Sequence, residues 1–164
     1  MRFAPLIGKR VSLRPIQHED VDAIERWYGE AAQAAFEDRS LEELQSVASG
    51  EAACLLAIER AGEDEPIGLV EYETSDGWLA VSFIALVKHY RGWGHGSEAI
   101  RLLEDWAMRQ WGAKRFRAEV DVRNGLGLYF WLRLGYRPAG KGEFGWQEEG
   151  EAARMAMVRT HDNA

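Results

Sequence analysis

Residues 78–87, WLAVSFIALV, are apolar at nearly every position. A run of that kind, with no alternation, reads as a strand buried on both faces at the centre of a sheet. It is followed by YRGWGHG, where Gly92, Gly94 and Gly96 stand at alternate positions, and then by SEAIRLLEDWAMRQW. In that last segment Ala99, Leu102, Leu103, Trp106 and Ala107 recur at helical spacing. A helix begins with unpaired N–H groups and a partial positive charge. An anion placed there is held without a lysine, and glycines clear the space for close approach. A tight β-to-α turn would account for one glycine; three at alternate positions read as a diphosphate cradle. Arg91 and His95 would add charge or hydrogen bonds to it.

The rest of the chain supplies the frame. Val11 to Arg14 reads as a short strand closed by Pro15. Gln17 to Gly29 reads as a helix, with Val21, Ile24, Trp27 and Tyr28 at helical spacing and acids in its first turn. Ser40 followed by Glu43 is a capping-box signal for a second helix, which Gly50 ends. Strands are expected at Ala53 to Glu59 and Ile67 to Thr74, the second joined to the central run by the turn Ser75 to Gly77. The long helix from about Gly96 to Trp111 is stopped by Gly112, and its Arg101, Asp105 and Arg109 are spaced for i,i+4 ion pairs. Arg115 to Val122 alternates as a strand, and Leu126 to Leu134 is a short helix ended by Gly135. Tyr136 returns to strand, Gly140 to Glu151 is a Gly-rich acidic loop, and Met155 to Arg159 is the last strand. No repeat or linker divides the chain, so residues 1–164 read as one domain, an α/β sandwich around a mixed sheet.

Cys54 is the only cysteine, which excludes an internal disulfide and a cysteine-rich zinc site. The histidines show no paired spacing, so no metal is expected. The chain opens without the apolar core of a signal peptide, and no run approaches a membrane span. The expectation is a cytoplasmic protein that binds no membrane. Lys and Arg total 20 against 27 Asp and Glu, which argues against a general nucleic-acid binder. The charge is uneven: Glu19 to Glu43 is strongly acidic, and Arg109 to Arg137 is basic. One half could suit a cationic ligand and the other an anionic one.

Which diphosphate the glycines would hold is narrowed by what is missing. A nucleoside-triphosphate P-loop needs a Gly-Lys-Ser/Thr ending, which is absent. A dinucleotide fingerprint is approached by Gly92-x-Gly94-x-x-Ser97, with Glu119 and Asp121 roughly 20 residues on. That fingerprint belongs after the first strand of its unit, whereas here several elements precede it.

Arg91-Gly92-Trp93-Gly94-His95-Gly96 fits the pattern R-x-x-G-x-G. Before it stands VSLRPIQHEDVDAIERW, and after it EVDVRNGLGLYFWLRLGYRP, with Asn124 and Gly135-Tyr136. In this order the three segments resemble the GNAT N-acetyltransferases, in their ribosomal-protein-acetylase-like branch, over nearly the whole chain. The resemblance implies a single-domain acyl-CoA N-acyltransferase fold, with a mixed, mostly antiparallel sheet of about seven strands and about four helices. It implies acetyl-CoA as co-substrate, an amine as acceptor, no metal, and a homodimer as the assembly to expect. The strand ending at Leu86-Val87 would splay from Arg117 to Val122. The pantetheine arm would pair with backbone at Leu86 and Val87. Amides from Gly92 through Trp93, Gly94, His95 and Gly96 to Ser97 would hold the pyrophosphate, with Arg91 beside them. Asn124 and Trp131 would complete the cofactor site, and nearby basic residues would meet the 3′-phosphate.

The sequence departs from the family pattern twice. Lys88 stands where many members have Pro, and Trp131 stands where many carry the Tyr that protonates the departing thiolate. Tyr129 lies two residues earlier, about 200° around an ideal helix, and could replace it only on an irregular helix. Glu71, Glu73 and Asp121 are candidate bases, and a backbone N–H near Val87 is a candidate oxyanion donor. Trp78, Trp93 and Trp146 are candidates to line the site. The acidic helices and the late loop would favour a cationic acceptor amine. The expected function is acetyl transfer to a primary amine of a small molecule or a protein amino-terminus. The alternative is a catalytically weak acyl-CoA-binding regulatory module.

Overall fold

The structure, a computed structural model, describes residues 5–48, 53–140 and 154–161. Strands β1 (Leu6–Ile7) and β2 (Val11–Pro15) lead into helices α1 (Val21–Ala34) and α2 (Leu41–Ala48). Three long strands follow: β3 (Ala53–Arg60), β4 (Pro66–Ser75) and β5 (Trp78–Leu86). Then come α3 (His95–Trp111), β6 (Arg115–Asp121), α4 (Gly125–Arg133), β7 (Arg137–Pro138) and β8 (Arg154–Thr160). All eight strands form one sheet in the order β1-β2-β3-β4-β5-β6-β8-β7. Within it β5 and β6 are parallel and the other neighbours antiparallel.

Local chemistry fixes most boundaries. Asp76 (φ 41) and Gly77 (φ 84) join Ser75 to Trp78, its partner across the hairpin. Two central residues of positive φ give the turn whose twist matches the strands it joins. The Ser40 hydroxyl accepts from the Glu43 N–H at 3.1 Å, and the Glu43 carboxylate accepts from the Ser40 N–H at 3.3 Å, so the predicted capping box forms. Arg14 on β2 grips Asp20 with both terminal nitrogens, at 2.7 and 2.8 Å, and fixes the entry into α1. That helix runs past the exposed Gly29 because Ala31 and Ala32 continue the buried face begun by Ile24 and Tyr28.

The sheet is covered on both sides. Ile100, Leu103 and Ala107 of α3 pack with Leu56, Val70, Val81 and Phe116. On the opposite face Ile24, Tyr28 and Ala31 of α1 meet Leu41 and Leu44 of α2 over Leu55, Leu69 and Phe83. The sheet has one strand more than the sequence suggests, because β1 is too short to carry an alternation. Arg109 pairs with Asp105 at 2.9 Å as spaced, but Arg101 turns to Glu104 at 2.8 Å and to the Leu134 carbonyl at 2.8 Å. Gly50 and nearly all of the acidic loop, including Trp146, lie outside the described residues.

Glu104 is 1% exposed and ties three elements together. Its carboxylate accepts from Arg101, from Arg159 of β8 at 2.9 Å and from the Tyr136 hydroxyl at 2.5 Å. Burial, then the Glu104 charge, pushes the Tyr136 phenol up, so it stays a donor. Removing one partner of a buried ion pair leaves its mates uncompensated, typically at a cost of about 3–5 kcal/mol. Glu104→Ala should lose stability of that order in urea unfolding, whereas the exposed Asp105→Ala should change it by less than about 1 kcal/mol.

Candidate active site

Strands β5 and β6 pair only from Trp78 to Val81, against Arg115 to Ala118. The cause lies on the other edge of β5. Glu71 pairs with Phe83 and Tyr72 with Val81, so Ser82 is an extra residue with no partner on β4. Such a bulge bends its strand and increases its twist. It also resets the alternation: Leu79 and Val81 face the α3 core before it, Phe83 and Ala85 the α1 core after it. Beyond Ser82 the two strands part, as the resemblance implies. The opening forms a cleft of about 790 Å³, walled by Ser82 to Leu86 on one side and Glu119 to Asp121 on the other. Small-molecule sites have volumes of roughly 300–1,000 Å³.

The walls present backbone as well as side chains. The Val87 N–H donates to the Ile67 carbonyl at 2.8 Å, so an oxyanion donor near Val87 has to come from a neighbouring residue. By the alternation of an antiparallel pair, Leu86 and Ile84 turn their backbone groups away from β4, toward the gap. Arg91 shows this direction, because its Nε donates to the Leu86 carbonyl at 3.0 Å while its fork pairs with Glu30 of α1.

The glycine run closes one end of the cleft. Gly92 (φ 83) and Gly94 (φ 88) hold left-handed conformations, and Gly94 caps α3. Among the described residues no backbone acceptor meets the N–H groups of Gly92, Trp93 or Gly94. His95, Gly96 and Ser97 follow in the first turn, where helix N–H groups lack intrahelical partners. The first-turn acid Glu98 does not fill this position: its carboxylate accepts from the N–H groups of Arg10 and Val11, both at 2.8 Å. The Arg10 guanidinium braces the turn by donating to the Trp93 carbonyl at 2.6 Å, and a Cβ on Gly94 would collide with it. A Cβ on Gly96 would press on Phe130 at 3.2 Å, so glycine there lets α4 approach. From Arg91 to Ser97 every residue lines the cleft except His95. His95 is turned away, with Nδ1 3.2 Å from the Tyr90 carbonyl. Val87 is likewise outside the cleft wall.

Arginines neutralise the far end. Phe116, Ala118 and Val120 enter the core, which leaves Arg117, Glu119 and Asp121 on the other face of β6. Glu119 stands just past the last paired residue, Ala118, and lines the cleft. Asp121 lines it too, but Arg123 donates to it from Nε at 2.9 Å, from Nη2 at 2.8 Å and from its backbone N–H at 2.9 Å. These bonds hold the Asp121 carboxyl down to about 2, which makes it a poor proton acceptor. Glu71 is 2% exposed and outside the cleft wall. It accepts from the Ser82 hydroxyl at 2.6 Å and from Arg39 at 3.0 Å, so it supports the bulge. Glu73 is exposed on the same strand. Glu37, between α1 and α2, lines the cleft and accepts from Arg39 at 2.6 Å. Burial pushes its carboxyl up, but the side-chain and backbone bonds from Arg39 outweigh that and leave it lowered. The acidic character of the amino-terminal half therefore does not carry through to the described cleft.

Helix α4 forms the remaining wall. Asn124 caps it, accepting from the Gly127 N–H at 2.9 Å, and lines the cleft. The helix is regular from Gly125, so Tyr129 and Trp131 project on opposite sides. Trp131 is 3% exposed against Phe130 and Tyr136, while Tyr129 is 58% exposed at the cleft mouth beneath the Arg133 guanidinium. The irregularity that would bring Tyr129 into the Trp131 position is absent. Trp93, 69% exposed, sits at the rim, and Trp78 lies elsewhere, under Arg115.

The family description Acetyltransferase (GNAT) domain matches residues 10–137. The chain belongs to the GNAT acetyltransferase family. GNAT acetyltransferases use acetyl-CoA as co-substrate, and this one is an acetyl-CoA-dependent N-acetyltransferase. The fold agrees with solved GNAT structures. An acetyltransferase from Agrobacterium tumefaciens superposes with TM-score 0.78 at 16% identity, over 98% of this chain and 96% of the other. A ribosomal-protein-S5-alanine acetyltransferase from Vibrio fischeri gives 0.72 at 18% identity over 98% of each chain. A Thermoplasma acidophilum N-acetyltransferase, solved with coenzyme A, gives 0.68 at 14% identity over 93% of this chain and 100% of the other. No curated protein sequence matches this GNAT chain significantly. Among its described residues none cluster as a metal site, and no helix is long and apolar enough to cross a membrane.

The free amides and left-handed glycines fit a diphosphate approached through backbone. Gly94→Val should therefore weaken CoA binding at least about tenfold, since it strains φ and displaces Arg10. Calorimetric titration checks this; unchanged affinity would remove the pyrophosphate from Gly92 to Ser97.

Proposed function

We propose that this enzyme transfers the acetyl group of acetyl-CoA to a primary amine by direct attack on the thioester, with Glu119 as the proton acceptor. Acetyl-CoA supplies the activated acyl group. The observation that carries the assignment is the position of Glu119, the first cleft residue after β6 parts from β5. Its Oε1 accepts from Arg117 at 2.6 Å and its Oε2 lies 3.6 Å from Arg154, so one carboxylate oxygen has no close donor in the described chain. An amine is mostly protonated at neutral pH, and a positioned carboxylate can take its proton directly or through one water. The N–H groups of Gly92 to Ser97 hold the pyrophosphate. Arg91 yields the Leu86 carbonyl to the pantetheine amide. A gap-facing N–H, of Leu86 or Ile84, stabilises the oxyanion, which the occupied Val87 N–H does not do. With an indole at Trp131, the thiolate takes its proton from the acceptor's nitrogen or from solvent rather than from a phenol.

The reading is supported by the family, the cleft and the unpaired amides, and it is tested in two steps. A ligand at about 100 times its dissociation constant stabilises by roughly 2.7 kcal/mol, so acetyl-CoA and CoA should raise the melting temperature and NAD should not. Glu119→Gln should keep that shift but lower kcat/KM by about 10²–10⁴ and remove the limb of the pH profile that reports the base. Tyr129→Phe should lower kcat by less than about threefold; a loss comparable to a general acid's contribution would return the proton to Tyr129.

A further inference from the structure

Resting on the acetyltransferase reading of this cleft, we propose that Arg154 receives a carboxylate on the acceptor, so that the acceptor is a small amine bearing an acid group, an amino acid in its chemistry. The β6–β8 register sets Arg154 directly opposite Asp121, and Arg154 lines the cleft there. There it lies 3.6 Å from Glu119 Oε2 and 3.9 Å from Glu37 Oε2, both beyond hydrogen-bond range. Those carboxylates have tighter partners, Glu37 in Arg39 at 2.6 Å and Glu119 in Arg117 at 2.6 Å, while Asp121 has Arg123. Of the other arginines that line the cleft, Arg91 at the glycine turn is engaged by the Leu86 carbonyl and Glu30, and Arg133 lies over the Tyr129 ring. Beyond those two long ion-pair contacts, no described residue meets the planar Arg154 fork with a hydrogen bond, and its side chain is 35% exposed. A guanidinium fork matches a carboxylate in two parallel bonds, whereas it repels a second ammonium. Glu119, beside it, is placed for the amine. An oxygen acid and an amine on adjacent carbons would span the two groups, which a polyamine would not.

The test compares amino acids with the amines formed by removing their carboxyl group, with a diamine, and with a peptide that offers an amino-terminus but no adjacent carboxylate. Thiol release from acetyl-CoA is the readout. At least one amino acid should exceed its decarboxylated counterpart roughly ten- to a hundredfold in kcat/KM, the value of a charged hydrogen bond. Arg154→Gln should bring that ratio close to one, acting mainly through KM, and Arg154→Lys should restore part of it. Both variants should melt within a few degrees of the parent, as expected for an exposed side chain, and should keep the CoA-induced shift. Preference for the decarboxylated amine, the diamine or the peptide overturns the proposal, as does an unchanged ratio in Arg154→Gln. Turnover of no amino acid, with the CoA shift intact, overturns it while leaving the acetyl-CoA reading in place. Loss of the CoA shift in the parent protein would remove both.

Discussion

Ser82 has no partner on β4, and the Glu71 carboxylate holds its hydroxyl at 2.6 Å with Arg39 behind. From that one inserted residue the working side of the molecule follows. The strand bends, its pairing with β6 stops at Val81, and the edge from Ser82 to Leu86 is left facing a gap. In an ordinary sheet such an edge would be sealed by the next strand. Here it is kept open, so its backbone groups are available to an extended ligand. The same bend points β5 at the glycine turn, where α3 offers its own unpaired amides. Two sets of free backbone donors therefore bound one cleft without any lysine.

The charged groups around the cleft do different work from what their number suggests. Glu71 and Asp121 are both strand carboxylates, yet one anchors the bulge and the other is saturated by Arg123. Arg39 pairs with both Glu37 and Glu71, Arg117 with Glu119 and Arg123 with Asp121, which offsets the field of these acids at a distance. What remains distinctive is local: a carboxylate oxygen of Glu119 and the fork of Arg154, side by side on adjacent strands. Specificity in such a site comes from which bonds an acceptor completes, rather than from overall attraction.

Much of the frame was legible in the residues. The apolar run to Val87, the hairpin at Asp76-Gly77 and the Ser40–Glu43 box each encode their element locally, and each forms. The glycine turn was legible for a related reason, since positive φ at Gly92 and Gly94 is a backbone demand that few other residues meet. The bulge was not, because Ser82 looks like one polar interruption in an apolar strand until β4 is laid beside it. The roles of Glu37, Glu119 and Arg154 depend on register between segments far apart in sequence, which spacing along the chain does not report. Glu71 and Asp121 drew attention as acids near the right strands, and their partners, Arg39 and Arg123, decide otherwise. Arg123 lies two residues from Asp121, a pairing the sequence could have suggested; Arg39 and Glu71 meet only through the fold.

The central claim is that one cleft, opened by the Ser82 bulge and closed by the glycine turn, takes the co-substrate through backbone groups. The most direct measurement is a titration of ¹⁵N-labelled protein with coenzyme A, following every backbone amide by NMR. The largest perturbations should fall on Gly92 to Ser97 and on Ile84 and Leu86, with Val87 less affected because its N–H stays on Ile67. Perturbations that spare these amides and gather elsewhere, for instance around the shallow acidic depression of Glu19, Asp64 and Glu65, would contradict the account.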